Sequence, residues 1–338
     1  MTKVLVTGAT GFIASHTILT LINKGYEVRG TARSASKADK LNATLSAYAG
    51  KPIEVELVSA DLTSDEGWDA AMDGVTYLQH LASPIPSNLP KDANELIIPA
   101  REGALRALRA AKAAGVKRAV MTSSFASIGY GWGDSRPAVL DESHWSNPDN
   151  IKDNTAYTRS KVIAEKAAWD YVDGDGQGLE LAVINPVAVL GPAMSGDVSA
   201  SLELVTQPMQ NKVPAFPKLT FGIVDVRDVA VAHVAAMEKP DAAGERFILG
   251  DKVLSFTEIG DVLRDAYPNR KLPKGELPNW LVRMLTMINP TLKQIVPELG
   301  KTRSFDNQKS QRLLGIDYIP ARDAILASTN SLIELGEL

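Results

Sequence analysis

The segment "YTRSK" places a phenol and an amine four residues apart, at Tyr157 and Lys161. Residues at this spacing lie on one face of an α-helix, which Asn154 or Thr155 can cap. An ammonium group near a phenol stabilises the phenolate, so the phenol can exchange a proton with a substrate oxygen near neutral pH. We therefore interpret Tyr157 and Lys161 as a proton-transfer pair.

The same spacing occurs a second time, so the pattern alone is not specific. Tyr267 and Lys271 stand four residues apart in "YPNRK", but Pro268 disfavours helix at the residue before it. The second pair therefore need not share a helix face, and we expect chemistry only at the first.

A run of hydroxyl side chains, "TSS" at 122–124, ends the fifth predicted strand, and the tyrosine pair precedes the sixth. A Ser124 hydroxyl at that point could hold the oxygen that Tyr157 protonates. The alternative is that Ser123 and Ser124 only cap the end of the strand. We favour Ser124 as the third catalytic residue.

Apolar runs of strand length alternate with segments of helical period through the first half of the 338 residues. Strands are predicted at 3–7, 26–32, 53–60, 75–82, 116–124 and 179–186. This alternation is typical of an α/β fold with a doubly wound parallel (Rossmann) sheet, whose ligands lie beyond the carboxyl ends of the strands. We predict a nucleotide-binding domain with the catalytic residues over 1–186. A smaller lobe over 187–338 would mainly bind substrate, with some segments returning to the core.

The segment "TGATGFIASH", at 7–16, joins the first strand to the first helix. Gly8 allows a tight turn, and Gly11 lets the backbone approach a pyrophosphate that the helix N-terminus stabilises. Ala14 replaces the usual third glycine. A purely structural turn is the alternative, but the strand-loop-helix context favours a dinucleotide.

The second strand ends in Arg33, where an NAD site usually carries an acidic residue, and Lys37 follows four residues later. Two cations at this point suit the 2′-phosphate of NADP(H). A solvated basic turn that includes Lys40 is the alternative. Asp61, after the third strand, suits either the edge of an adenine or a helix cap.

Composition narrows the possible partners. Hydrophobic residues make up 45% of the chain and charged residues 22%, with a net charge of −4, so no basic excess favours nucleic acid. The sequence contains no 18-residue apolar run and no leader-like start, so we expect no membrane association. Because cysteine is absent and the four histidines are scattered, we expect a cytoplasmic protein without a metal site.

Seven motifs in this order closely resemble the extended short-chain dehydrogenase/reductases: "TGATGFIASH", "GTARSASK", "HLASP", "VMTSSFASI", "YTRSK", "NPVAVLGP" and "DVRDVAVAH". Within that family the chain is similar to the dihydroflavonol reductase and cinnamoyl-CoA reductase branch. The resemblance is strongest to its microbial members, NADPH-dependent aldehyde and ketone reductases of the methylglyoxal type. It spans nearly the whole chain and is most specific before residue 230.

The resemblance implies hydride transfer from NADP(H) to a carbonyl carbon, with Ser124, Tyr157 and Lys161 as the catalytic residues. Pro186 and Val187 would lie beside the nicotinamide. The residues expected to contact the cofactor are Gly8, Thr10, Gly11, Phe12, Ile13, Arg33, Lys37, Asp61, Leu62, Ala82, Ser83, Tyr157, Lys161, Pro186, Val187 and Val189.

Three segments flank these residues, at 83–85, 125–128 and 187–194, and they contain no Lys or Arg. Nothing in them could pair with a carboxylate or phosphate brought out of water. We therefore expect an uncharged aldehyde or ketone, with an aryl or branched aliphatic group or a keto ester. Plant members carry longer polar recognition segments than "SFASIGYGWGDSRPAV", so a flavonoid is not expected. The expected pocket residues are Pro84, Ile85, Phe125, Ile128, Pro192 and Met194.

Two other functions fit parts of the pattern. A nucleotide-sugar epimerase or dehydratase would use the same catalytic residues but needs cations for a diphosphate, and "LVRML" and "KTRSF" offer only isolated arginines. A noncatalytic NADP-sensing protein would have no need of the three catalytic residues.

His144 and Trp145 could face the pocket, although we favour a packing role. We expect a monomer or homodimer.

Overall fold

The strands of the protein are short and mostly buried. A computed structural model describes residues 1–84, 92–196, 199–288, 292 and 295–338. Within these ranges the β-strands are β1 Lys3–Thr7, β2 Glu27–Ala32, β3 Glu56–Ser59, β4 Tyr77–His80, β5 Arg118–Thr122, β6 Val139–Leu140, β7 Glu180–Pro186, β8 Ala188–Leu190, β9 Phe216–Pro217, β10 Thr220–Asp225, β11 Arg246–Leu249, β12 Lys252–Ser255, β13 Glu276–Leu277 and β14 Ser304–Phe305.

The helices lie mainly between these strands. In the described part of the chain the α-helices are α1 Phe12–Asn23, α2 Ala38–Ala49, α3 Trp68–Met72, α4 Asn94–Ala113, α5 Ala156–Asp173, α6 Glu203–Met209, α7 Val226–Glu238, α8 Phe256–Ala266, α9 Asn279–Leu285 and α10 Ala321–Glu334. None of these helices has the length and apolar character needed to cross a membrane.

A parallel sheet of seven strands forms the centre of the molecule, in the order β3-β2-β1-β4-β5-β7-β11. The chain runs outward from β1 to β3 and then returns to place β4 on the other side of β1. This reversal opens a crevice at the carboxyl ends of β1 and β4, which is where doubly wound sheets bind ligands. The predicted fold class is confirmed, and the predicted strands correspond to β1, β2, β3, β4, β5 and β7.

Two apolar layers cover the sheet, because neighbouring residues on a strand point to opposite faces. Val4 and Val6 pack in the layer that contains α1, α2 and α7. Leu5 packs in the layer that contains α3, α4 and α5. The continuous apolar run of β1 is therefore what a strand covered by helices on both faces requires.

The seventh strand of the sheet, β11, was not among the predicted strands. Arg246–Leu249 pair in parallel with 183–186 of β7, although they come from the C-terminal half of the chain. The helix α7, also from that half, packs on the same sheet. These segments return to the nucleotide-binding core, while the division of function at residue 186 stays a prediction.

The remaining C-terminal elements pack around a separate apolar cluster that includes Leu190, Phe216, Leu263 and Ile325. A three-stranded sheet, β12-β10-β8, joins this cluster to the end of β7. A π-helical turn over Ser310–Leu314 follows β14 and ends at a left-handed Gly315.

Candidate active site

A tight glycine turn follows β1. Gly8 has a φ of 64°, a conformation that glycine adopts without strain. A Cβ at Gly8 would lie 3.1 Å from both the Cα and the Cβ of Ala82, which follows β4. The Gly11 N–H donates to the Gly8 carbonyl at 2.9 Å and closes the turn. The backbone of this turn therefore carries no side chain at Gly8 or Gly11, beside the crevice between β1 and β4.

The helix α1 begins directly after this turn. Gly11 is its N-cap residue and supplies no side-chain cap, so the first N–H groups of the helix can attract an anion. Thr10 and Phe12 line a small cavity there together with Met194, while Ile13 packs against the core. Met194, expected in the substrate pocket, thus lies beside the glycine turn.

The ends of β1 and β4 are held together by the Thr7 hydroxyl. It accepts the N–H groups of Leu81 and Ala82, each at 3.0 Å, and lies 3.0 Å from Nδ1 of His80. Burial and the nearby Lys161 ammonium lower the pKa of His80 to about 4. The imidazole is therefore neutral near pH 7 and can accept the Thr7 proton, which fixes the floor of the crevice.

Two exposed cations follow β2. The carbonyl of Arg33 accepts the Ser59 hydroxyl at 3.2 Å, and its side chain is exposed. Lys37 is also exposed and ends the short 3₁₀ turn Ala35–Lys37, which the Ser34 side chain caps. The backbone at the end of β2 is thus fixed while both cationic side chains face solvent.

The loop after β3 is built around Asp61. Its Oδ1 accepts the Thr63 N–H at 2.8 Å and the Thr63 hydroxyl at 2.7 Å, which holds the pKa of Asp61 below its usual value, with a further contribution from Arg33. Asp61 therefore caps a turn at Thr63, not a helix. Leu62 packs against Gly103 of α4.

The helix α5 carries the predicted proton-transfer pair. Thr155 is its N-cap: the Thr158 N–H donates to the Thr155 hydroxyl at 3.2 Å, and the Thr155 N–H donates to the Thr158 hydroxyl at 2.9 Å. The Tyr157 side chain, one residue inside the helix, is 42% exposed. By contrast, α8 ends at Ala266, so Tyr267 and Lys271 do not share a helix, which fits the effect expected of Pro268.

Lys161 lies beneath Tyr157 on the same face of α5. Its Nζ is 5.7 Å from the centre of the Tyr157 ring and donates to the Ser83 hydroxyl at 3.0 Å. Lys161 is only 8% exposed, so its ammonium is held in place beside the crevice. Ser83, expected among the cofactor contacts, has this ammonium as its partner.

The two serines after β5 have different surroundings. Ser124 is extended, and its side-chain oxygen accepts the Ala126 N–H at 3.1 Å, capping the short turn Phe125–Ser127. Ser123 is buried and donates to the Glu165 carboxylate. Ser124 is therefore both a cap and the more accessible hydroxyl, with its own proton still available to a ligand.

The segment after β7 is largely buried. Pro186 and Val189 are buried, and Val187 is half-buried, with its N–H donating to the Leu249 carbonyl at 3.0 Å. The Pro192 carbonyl lies 2.8 Å from Nε2 of His16. This segment is thereby anchored to both β11 and α1.

The expected pocket wall is only partly exposed. Ile128 has 0% exposure and packs in a small apolar cluster with Phe125, so it lies behind the wall and not on it, contrary to expectation. Phe125 is 8% exposed, and its ring meets Phe305 edge to face at 5.8 Å. Pro84, four residues after the end of β4, is half-buried, whereas Ile85 lies outside the described residues.

Sequence reasoning missed a buried polar cluster behind the serines. Glu165 accepts hydrogen bonds from Ser123, from Asn185 of β7 and from Arg246 of β11. The available signal was the helical spacing, because Glu165 stands four residues after Lys161 on the same face of α5.

Arg303, in "KTRSF", is not an isolated cation. Its guanidinium stacks 4.0 Å from the centre of the Tyr130 ring and pairs with Glu298 and, at 3.6 Å, with Asp153. The side chain is buried, and its Nε donates to the Gly129 carbonyl at 2.7 Å. Asp153 also pairs with Lys301, so two carboxylates here compensate two cations.

The fold and the site together define a class of protein. A doubly wound sheet with a glycine turn at its crevice, beside a helix carrying Tyr157 and Lys161, is the arrangement of a dinucleotide-dependent oxidoreductase of the short-chain type. The chain belongs to the NAD dependent epimerase/dehydratase family, the extended short-chain dehydrogenase/reductases, whose model matches residues 4–250.

Similar proteins cover the whole length of the chain. It is 34% identical over 336 residues to cinnamoyl-CoA reductase 1 of Arabidopsis thaliana, covering 99% of this chain and 90% of that protein. The yeast methylglyoxal/isovaleraldehyde reductase Gre2, solved with NADPH, superposes with a TM-score of 0.79 at 28% identity, covering 99% and 100% of the two chains. Gre2 of Candida albicans, also solved with NADPH, gives 0.78 at 29% identity, covering 99% of both chains.

Proposed function

We propose that the protein is an NADPH-dependent reductase that converts an uncharged aldehyde or ketone into an alcohol. The observation that carries this proposal is the exposed Tyr157 phenol above a Lys161 ammonium that Ser83 holds at 3.0 Å. The similarity along the whole chain to reductases solved with NADPH supports the same class of reaction.

The residues at the crevice fit this cofactor. The bare backbone at Gly8 and the uncapped N-terminus of α1 suit a pyrophosphate, and the exposed Arg33 and Lys37 suit a 2′-phosphate. NADPH, when bound, supplies the hydride that a carbonyl carbon accepts. The predicted cofactor contacts at the ends of β1, β2, β3, β4 and β7 are proposed on this basis.

The chain's own residues handle the carbonyl oxygen and its proton. The Ser124 hydroxyl donates to this oxygen, because its own oxygen already accepts the Ala126 N–H and its hydrogen is free. Negative charge develops on the carbonyl oxygen during reduction, and the Tyr157 phenol transfers its proton there. The Lys161 ammonium stabilises the phenolate that remains.

An uncharged substrate fits the charges around this site. The predicted pocket segments contain no Lys or Arg, and the buried cation nearby, Arg303, is compensated by Glu298 and Asp153. The Lys161 ammonium is already engaged by the Ser83 hydroxyl and the Tyr157 ring beside the cofactor crevice. A carboxylate or sugar diphosphate between the predicted pocket segments would therefore have no cation of its own, which is costly. Aryl or branched aliphatic carbonyls and keto esters should therefore be preferred over keto acids.

A panel of carbonyl compounds tests this proposal. NADPH consumption is followed with aldehydes, ketones, one keto ester and the matching keto acid, and kcat/KM is compared. The kcat/KM for the keto ester should be clearly higher than that for the keto acid. A preference for the acid would mean that a cation faces the substrate, and NADPH binding without any turnover would favour the noncatalytic alternative. Conversion of a nucleotide sugar would support the epimerase alternative.

Three properties of the whole molecule are also proposed. Residues 1–186 would bind the cofactor and carry the catalytic groups, while 187–338 would mainly bind substrate. The absence of cysteine suits a reducing, cytoplasmic compartment. The active protein would be a monomer or homodimer without a nucleic-acid partner.

A further inference from the structure

A buried carboxylate lies on the catalytic face of α5. Glu165 stands one turn after Lys161 and two turns after Tyr157, so the three side chains share one face of the helix. Glu165 is fully buried. Burial of a carboxylate is unfavourable unless it is paired and hydrogen-bonded, so the partners of Glu165 are informative.

One oxygen of Glu165 is paired with Arg246 of β11. The Arg246 Nε donates to Glu165 Oε1 at 2.5 Å. Its Nη1 donates to the carbonyls of Glu142 at 2.8 Å and His144 at 2.9 Å, and the Trp145 ring stacks 3.6 Å from the guanidinium carbon. Arg246 is therefore fixed on several sides, and His144 and Trp145 have structural contacts here.

The other oxygen of Glu165 is connected to Ser124 through two residues, Ser123 and Asn185. Oε2 accepts the Ser123 hydroxyl and, at 2.7 Å, the Asn185 Nδ2. The same Asn185 Nδ2 also donates to the Ser124 carbonyl at 3.2 Å. The carboxylate thus contacts the residue before Ser124 and is linked by one side chain to Ser124 itself.

We infer that Glu165 is a positioning residue: its carboxylate, fixed by Arg246, sets the Ser124 hydroxyl relative to Tyr157. Because Glu165 and Tyr157 belong to the same helix, these bonds connect α5 to the end of β5. They therefore fix the Ser124 hydroxyl and the Tyr157 phenol relative to each other. The inference rests on the proposed reductase function. It concerns the reaction geometry, and none of these bonds involves the glycine turn or the cations after β2.

Two variants perturb this link in different ways. Glu165→Gln keeps an acceptor oxygen but removes the charge that pairs with Arg246, and Ser123→Ala leaves the ion pair intact. Each should lower kcat about ten- to a hundredfold, because a misplacement of about 1 Å can cost that much. The Kd for NADPH should remain at its wild-type value.

A matched control is an ion pair between β5 and β7, at the ends of these strands that lie away from Ser123 and Asn185. Arg118 at the start of β5 pairs with Glu180 at the start of β7, with 2.7 Å between Nε and Oε2. Glu180→Gln removes a carboxylate from this pair and should leave kcat unchanged. Wild-type kcat in both Glu165→Gln and Ser123→Ala would overturn the inference.

A double-mutant cycle shows whether Glu165 acts through the serine. In a Ser124→Ala background the hydroxyl to be positioned is missing, so adding Glu165→Gln should cost little more. An equally large further loss of kcat in that background would overturn the inference, since Glu165 would then act elsewhere.

Hydrogen exchange provides a readout that needs no turnover. In the turn after Ser124 the Ser127 N–H donates to the Ser124 carbonyl at 2.9 Å. Exchange in a peptide over 122–130 should be faster in Glu165→Gln and Ser123→Ala and unchanged in Glu180→Gln. Unchanged exchange in all three would overturn the inference. A wild-type protein that reduces no carbonyl would refute the proposed function, and the exchange rates would still decide the positioning.

Discussion

Replacing Tyr157 by phenylalanine removes one hydroxyl and keeps the ring, so it tests proton transfer with little change in packing. The side chain is 42% exposed, and its hydroxyl has no hydrogen bond to any residue that the structure describes. The free energy of unfolding should therefore change by less than about 0.5 kcal/mol.

The effect on the reaction should be far larger. A general acid contributes about 10² to 10⁴ in rate, which corresponds to about 2.7 to 5.4 kcal/mol in the activation free energy. The matched control is Tyr267→Phe, whose hydroxyl donates to Asn330 at 2.6 Å. The free energy of unfolding of this control should fall by about 1 kcal/mol, and its kcat should remain at the wild-type value.

The assay measures kcat for one aldehyde with NADPH, the Kd for NADPH by quenching of tryptophan fluorescence, and denaturant unfolding of each variant. We expect Tyr157→Phe to lose kcat while its affinity for NADPH and its free energy of unfolding are retained. A variant that keeps wild-type kcat, or a Tyr267→Phe protein with the same loss, would refute the assignment of Tyr157.

The remaining predictions concern the cofactor site and acid stability. Gly8→Ala should weaken NADPH binding, because φ is 64° and Ala82 is 3.1 Å from the added Cβ; Gly25→Ala, with φ 85° and no atom within 4 Å, should cost only about 1–2 kcal/mol of stability. Calorimetric titration and denaturant unfolding separate the two. Arg33→Asp should reverse or abolish a preference for NADPH over NADH, measured as the ratio of kcat/KM values for the two cofactors. Equal kcat/KM values in the unmodified protein would contradict the binding of a 2′-phosphate by Arg33 and Lys37. The free energy of unfolding should fall from pH 7 to pH 5, by roughly 2 kcal/mol per group, because burial lowers three histidine pKa values to about 4, 4 and 3 and only the unfolded state then binds these protons. Unfolding at both pH values checks this for His16, His80 and His233.

Local patterns were sufficient for most of the sheet. The strands β1, β2, β4, β5 and β7 are apolar runs whose pattern reports their burial directly, while β3 was recognised by the same pattern although, at the edge of the sheet, it has no fully buried residue. The run "RFIL" of β11 is as apolar, but its place depends on pairing Arg246 with Val183. The local periodicity of a short apolar segment does not predict which sheet, or which distant strand, the segment will pair with.

The site shows the same limit. The spacing of Tyr157 and Lys161 predicted a shared helix face because helical geometry is local. The role of Glu165 required Arg246, which lies 81 residues later in the chain. Ile128 was misplaced because the turn after Ser124 directs its side chain into the core, and composition alone does not reveal that direction.

The late position of β11 affects how the chain folds during synthesis. When residues 1–186 have left the ribosome, β7 is an open edge strand whose unpaired backbone groups can recruit another chain. At that stage Glu165 has no Arg246, and an unpaired carboxylate opposes the closing of α5 onto the sheet. The nascent chain can complete its sheet, and bring Arg246 to the carboxylate beside Ser123 and Ser124, only after Arg246–Leu249 emerge. The proposed active site is thus completed only after the chain has been synthesised past Leu249.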